Sequence, residues 1–166
     1  IVNATFMDGY FNNLTNMEGT FYECTSLTTA PTIPNSVTNM EATFQNCTSL
    51  TTVSAIPNSV TNMEGAFYSC TSLTSVPAIP NGVTNMNYTF GSCTALTTAP
   101  TIPNSVTSMQ GTFYNCTELT TGAKISSTKI SDITALYYNC TNLQSCDLPL
   151  SATDYSNALR DVPSTC

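Results

Sequence analysis

Histidine and tryptophan are absent from this 166-residue chain, and Lys124, Lys129 and Arg160 are its only cationic side chains. Without histidine, the usual proton shuttle near neutral pH and the commonest neutral metal ligand are both missing. Three cations against ten carboxylates leave a formal net charge of -7, which excludes a clamp on nucleic-acid phosphates and disfavours an anionic membrane surface. No apolar run reaches the roughly 20 residues needed to span a bilayer, and no basic-then-apolar opening marks a secretion signal. Membrane insertion by this segment is therefore not expected. No paired acid and base, no nucleophile beside a base and no glycine-rich phosphate loop occurs, so the reading is of a protein with no catalytic residues and no cofactor.

What the chain does have is a period. Cys24, Cys47, Cys70, Cys93 and Cys116 stand 23 residues apart, and Cys140 follows 24 residues later. The neighbours travel with the cysteine: Leu27, Ala30, Ile33, Val37, Met40, Phe44 and Cys47 in one unit become Leu73, Val76, Ile79, Val83, Met86, Phe90 and Cys93 in another. Steps of three to four residues fit neither a continuous strand nor one long helix, because Ile33-Pro34-Asn35-Ser36 and its copies interrupt any regular element. They fit a coil that turns its apolar side chains inward. Such a unit is too small to bury a core alone, so the units must stack into a repeat solenoid.

The spacing predicts a short strand over Leu27 to Ile33, a second extended stretch over Val37 to Met40 and a helical turn over Glu41 to Asn46. One solenoid of about six 23-residue repeats fills residues 1–166. Residues 1–16 form a partial first coil, 17–143 the regular repeats and 144–166 a C-terminal cap. Within the cap, Ser151 to Val162 reads as a short amphipathic helix. The start at Ile1, partway through a unit, reads as a mature or excised piece of a longer protein.

The string Val60-Thr-Asn-Met-Glu-Gly-Ala-Phe-Tyr-Ser-Cys-Thr-Ser-Leu73, with Ile56-Pro-Asn-Ser before it, resembles the BspA-like leucine-rich repeats of bacterial and protist surface proteins. That family's usual unit has Ile where Met40, Met63, Met86 and Met109 stand. The Thr-Asn-Met wording looks more like the related Met-Phe-x-x-Cys repeats of lipoproteins and secreted proteins from gut and mucosal microbes. The resemblance implies a right-handed leucine-rich-repeat coil with short parallel strands on one face. It also implies an extracellular or cell-surface scaffold that binds host matrix or neighbouring cells.

The residues themselves nominate several sites. The Cys24, Cys47, Cys70, Cys93, Cys116 and Cys140 column lacks a Cys-x-x-Cys pair and any histidine, so it reads as a buried ladder of small hydrophobes and not as a metal site. Cys146 and Cys166 fall off that ladder and are the candidate disulfide, a clasp for the C-terminal end. If Ala30 and its equivalents point inward, Thr29, Thr52, Ser75, Thr98 and Thr121 point outward beside Pro31, Ser54, Pro77 and Pro100. With Thr32 and Thr101 they make a hydroxyl-rich strip, the expected ligand face. Asn-x-Ser/Thr sequons stand at Asn3, Asn13, Asn46, Asn87, Asn115 and Asn139, candidate glycan sites in a eukaryotic secreted protein.

The functional expectation is a non-enzymatic extracellular module that adheres to a protein or glycan through this strip. The competing expectation is a structural subunit that stacks head to tail into a surface filament through an uncapped N-terminal coil, with Ile1 to Met7 at the contact. Flat threonine arrays also occur in ice-binding solenoids, but a proline in the strip spoils the Thr-x-Thr alternation.

Overall fold

The computed structural model describes residues 13–164. Asn3, Cys166 and the Ile1 to Met7 segment lie outside the described residues. The chain winds in stacked coils, and parallel bridges link equivalent residues of successive coils: Asn16 to Asn39, Asn39 to Asn62, Asn62 to Asn85 and Asn85 to Ser108. This is the Val-Thr-Asn-Met segment, and it carries the most regular ladder in the molecule. The strand expected over Leu27 to Ile33 is reduced to isolated bridges, Thr29 to Thr52, Thr98 to Thr121 and Ile102 to Ile125. Proline explains part of this, since Pro31, Pro77 and Pro100 have no N–H to offer a neighbour.

Where a helical turn was expected over Glu41 to Asn46, the backbone forms something else. Seven six-residue turn segments recur among the described residues, at 18–23, 41–46, 64–69, 87–92, 110–115, 134–139 and 156–161. Each holds its second and sixth residues in the left-handed region, as in Ala42 (φ 50°) and Asn46 (φ 62°), or Gly111 (φ 57°) and Asn115 (φ 58°). The sixth position is filled by Asn, Ser, Asp or Glu, mostly short polar residues that tolerate this conformation.

The alternation sorts the amides into two sets. Met40, Ala42, Phe44 and Asn46 donate to Asn62, Glu64, Ala66 and Tyr68 of the next coil at 2.8 to 2.9 Å, while Thr43, Gln45 and Cys47 donate three residues back at 3.1 to 3.2 Å. A helix would keep all of these bonds within the coil, so the turn segment is what joins coil to coil. An asparagine opens it: Oδ1 of Asn39 accepts from the Glu41 amide at 3.1 Å, and Nδ2 of Asn62 donates to Oδ1 of Asn39 at 3.0 Å. Asn16, Asn62 and Asn85 open their segments in the same way.

The amphipathic helix expected over Ser151 to Val162 is not formed. The segment is another coil: Asp154 bridges to Asp132, Thr153 donates its amide to the Ser131 carbonyl at 2.8 Å, and Asn157 and Asp161 take the left-handed positions. Ala152, Tyr155, Leu159 and Val162 stand where earlier coils have Val, Met, Phe and Cys.

Inside, the columns pack in file. Phe21, Phe44, Phe67, Phe90, Phe113 and Tyr137 stack with ring centroids 5.3 to 5.7 Å apart. Met40, Met63, Met86, Met109 and the column cysteines from Cys47 to Cys140 are fully buried beside them. The hydroxyl of Tyr137 accepts the Ala123 amide at 2.9 Å, inside the 24-residue unit. Buried Thr43, Thr89 and Thr112 donate to the Met17, Met63 and Met86 carbonyls of the preceding coil at 2.9 Å.

Two outcomes follow for urea unfolding. Phe67→Ala removes a ring packed on both faces and should cost about 3 to 5 kcal/mol; a loss below about 1 kcal/mol would show that the ring column is not a continuous core. Gly111→Ala should cost at least ~1 kcal/mol, because φ is +57° and the new Cβ would stand 2.3 Å from the Tyr88 ring.

Candidate functional site

Seven residues nominated for the ligand face, Thr29, Thr52, Ser75, Thr98, Thr121, Thr32 and Thr101, are all exposed and lie on one side of the solenoid. The inward placement of Ala30 holds as well. The neighbouring column differs from the strand reading: Pro31 is buried, Ser54, Pro77 and Pro100 are half-buried, and the outward residues are Thr32, Ala55, Ala78 and Thr101. Strict in-and-out alternation requires a strand, and the backbone here is not one. Two rows therefore face solvent, one of hydroxyls and one in which Ala55 and Ala78 interrupt the threonines. The second row is no lattice of Thr-x-Thr pairs.

Backbone pairing along the strip is uneven. Thr51 donates to Thr28 and Ala30 to Thr52 at one end, and Ala99 to Thr121 and Ile102 to Lys124 at the other. Between them, no backbone hydrogen bond joins residues 74–79 to 51–56 or to 97–102. The coil around Ser75 thus leaves main-chain donors and acceptors unpaired in the middle of the face. A groove of about 450 Å³ opens at this place, walled by Val76, Pro77, Ala78, Pro100, Thr101 and Asn104. Its lining carries no charge.

The threonines flanking the strip have structural duties. Thr51 Oγ1 donates to the Thr28 carbonyl at 3.0 Å and Thr120 Oγ1 to the Thr97 carbonyl at 3.1 Å. Thr52 Oγ1 reaches Thr29 Oγ1 at 3.4 Å. The second and larger ladder, Thr38, Thr61, Thr84 and Thr107, ties each hydroxyl to the preceding Thr carbonyl at 3.2 to 3.3 Å.

The cysteine column is buried from Cys47 to Cys140, with Cys24 half-buried at the near end. Each thiol from Cys47 to Cys140 has a partner: Cys47 Sγ donates to the Phe21 carbonyl, Cys70 to Phe44, Cys93 to Phe67 and Cys116 to Phe90, all at 3.1 Å, and Cys140 to Phe113 at 3.0 Å. Burial pushes Cys47 up to about 11 and Cys70 and Cys140 up to about 12, and drives Cys93 and Cys116 well above the ordinary thiol value. No group of three or more metal-binding side chains occurs among the described residues. Cys146 is disulfide-bonded.

The sequon column has a conformational cause. Asn46, Asn115 and Asn139 occupy the left-handed sixth position of their turn segments. Nδ2 of Asn139 donates to Asn115 Oδ1 at 2.7 Å and Nδ2 of Asn115 to Ser92 Oγ at 3.3 Å, so the atoms a glycan would need are engaged. The Asn87 sequon has its Thr89 hydroxyl buried on the Met63 carbonyl. Asn13 is exposed.

Sequence reasoning missed the asparagine ladder and the groove. The ladder was legible as an Asn before Met17, Met40, Met63 and Met86, replaced by Ser108 before Met109. The groove was not, since it depends on which coils fail to pair.

The stacked coils, their inward columns and their asparagine-opened turns define a leucine-rich-repeat solenoid, a general type of protein-interaction module. The chain belongs to the BspA-type leucine-rich-repeat family, whose model matches residues 64–159 in six copies. A second family model, described as a Mycoplasma protein of unknown function, matches residues 10–101. Comparison with curated proteins returns no match. A leucine-rich repeat protein of T. pallidum superposes with a TM-score of 0.69 at 26% identity, over 82% of this chain and 64% of that one. A leucine-rich repeat protein of Bacteroides ovatus gives 0.64 at 24% identity, over 82% of this chain and 35% of that one. The chain therefore spans less than two thirds of either relative.

The ladder thiols set a pH dependence. A thiol that ionises near 9.0 when free and near 11 to 12 when folded holds its proton more tightly in the native state. The stability this contributes is complete below pH 9 and is lost as pH rises toward 12. Urea midpoints should be flat in this respect from pH 7 to 8 and fall above pH 9, and iodoacetamide should spare Cys70, Cys93 and Cys116 until denaturant is added. Rapid labelling of those three in the native protein would contradict the buried ladder.

Proposed function

We propose that this chain is a non-enzymatic adhesion module, working outside the cell or at its surface, that binds an uncharged stretch of a protein or glycan. The face is the strip formed by Thr29, Thr52, Ser75, Thr98 and Thr121, with Thr32 and Thr101 beside it. One observation carries the reading: the unpaired backbone around Ser75 coincides with the groove between Val76 and Asn104. Solvent-facing hydroxyls and free main-chain groups offer directional hydrogen bonds, and the proline and alanine walls offer apolar area without a desolvation cost for charge.

Leucine-rich-repeat proteins in general mediate protein interactions and are generally non-enzymatic, and membership of the BspA-type family supports the surface location. The partner remains a class: a neutral polypeptide segment of a matrix or surface protein, or a neutral oligosaccharide.

Surface plasmon resonance against immobilised matrix proteins and neutral oligosaccharides tests this. The double variant Ser75→Lys/Thr98→Lys should lose at least tenfold in affinity, about 1.4 kcal/mol, with an unchanged urea midpoint. Thr141→Lys, exposed in the turn column, should bind like the parent. A binder indifferent to the strip variant, or a panel with no binder, would sink the reading.

A further inference from the structure

One turn departs from the repeat. Pro34-Asn35-Ser36-Val37, Pro57-Asn58-Ser59-Val60 and Pro103-Asn104-Ser105-Val106 make the same four-residue turn, closed by the valine amide on the proline carbonyl at 3.0 to 3.3 Å. The remaining copy reads Pro80-Asn81-Gly82-Val83 and closes in the same way at 3.1 Å. Asn81-Gly82 is the only Asn-Gly pair in the chain.

The serine of the other copies anchors the turn to the preceding coil. Ser36 Oγ donates to the Leu14 carbonyl at 2.7 Å, and Ser59 Oγ to Val37 and Ser105 Oγ to Val83, both at 2.6 Å. The equivalent acceptor for position 82 is the Val60 carbonyl. Val60 is fully buried, Gly82 has no hydroxyl to offer it, and no other described group donates to that oxygen. A Cβ at Gly82 would stand 3.3 Å from it and 3.1 Å from the Asn58 carbonyl oxygen. The turn at Asn81 is thus the one of the four without its anchor.

All four asparagines are exposed, and none of their carboxamides has a hydrogen bond among the described residues. What differs is the residue that follows. A serine Cβ crowds the approach of its own amide nitrogen to the asparagine Cγ, and the anchored hydroxyl holds that backbone in place. Before Gly82 both restraints are gone, glycine has the freest main chain, and the Gly82 N–H donates to no described residue.

We propose that Asn81 is a self-modification site. The Gly82 backbone nitrogen gives up its proton to base and attacks the Asn81 Cγ. A new C–N bond forms, and the side-chain nitrogen leaves as ammonia with a proton returned from water. The resulting five-membered imide takes up one water at either carbonyl, which leaves aspartate at position 81 or an isoaspartate whose main chain runs through the former side chain. Water is consumed, ammonia is released, and nothing is oxidised or reduced. Asn81 lines the groove beside Val76, Pro77 and Pro100, so each event places a carboxylate in a wall that carried no charge. The isoaspartate also adds a methylene to the turn that Val83 closes on Pro80. The modification stands on the turn alone, and only its effect on the ligand face rests on the adhesion reading.

The native 166-residue chain, held in mildly alkaline buffer, digested with pepsin in acid and mapped by mass spectrometry, tests this. Asn81 should convert first, to both products, while Asn35, Asn58 and Asn104 keep their amides. Gly82→Ser should slow conversion at Asn81 about tenfold, a barrier about 1.4 kcal/mol higher. Conversion at Asn81 no faster than at Asn58, or only after urea has unfolded the chain, overturns the proposal. So does a folded Gly82→Ser variant that converts at the parental rate. The comparison with Asn58 is made within the parent chain and decides the matter even where the variant fails to fold.

Discussion

Everything in this molecule depends on the two directions in which its turn amides point. Half of them close three-residue turns within the coil and half reach the carbonyls of the next, and that division exists because the second and sixth residues of each segment sit at positive φ. With helical dihedrals these bonds would fall inside the coil, and the ties between units would be reduced to the threonine and asparagine ladders and the buried columns. The left-handed residues are therefore a source of cohesion, although several of them, Tyr88 and Glu23 included, hold that conformation at a cost that the stacking offsets.

The buried columns follow from this register. A fixed spacing between coils puts like residue over like residue, so phenylalanines stack on phenylalanines and each thiol lies against a carbonyl one coil back. The polar groups inside are satisfied the same way: among the described residues no buried side-chain nitrogen or oxygen lacks a partner. Cysteine suits its column because it is small, apolar and able to donate weakly, and burial removes the reactivity that a free thiol would otherwise have.

The stacking and the inward residues were legible because a 23-residue period in Leu, Val, Met, Phe and Cys leaves little choice. Local conformation was less so. Ala42, Gly65, Tyr88 and Gly111 share one left-handed position without sharing a side chain, so no propensity signals it. The final coil was hidden by substitution: Asp154, Tyr155, Leu159 and Val162 replace Asn, Met, Phe and Cys. A constant step of 22 residues from Asp132, Tyr137 and Cys140 to Asp154, Leu159 and Val162 would have revealed it. The exposed threonines were found by assuming alternation, which placed Thr29 and its column correctly and Pro31 wrongly, since the segment pairs too sparsely to alternate.

The inter-coil bonds have a mechanical side. They lie along the axis on which the coils are stacked, so tension applied at the two ends loads them as a zipper, one coil interface after another, and not as a sheared sheet with all bonds strained together. Such a stack yields in small steps, each releasing one 23-residue length of chain and leaving its neighbours folded. A tether built this way lengthens under load before it fails, and each released unit can re-form against the coil that remains.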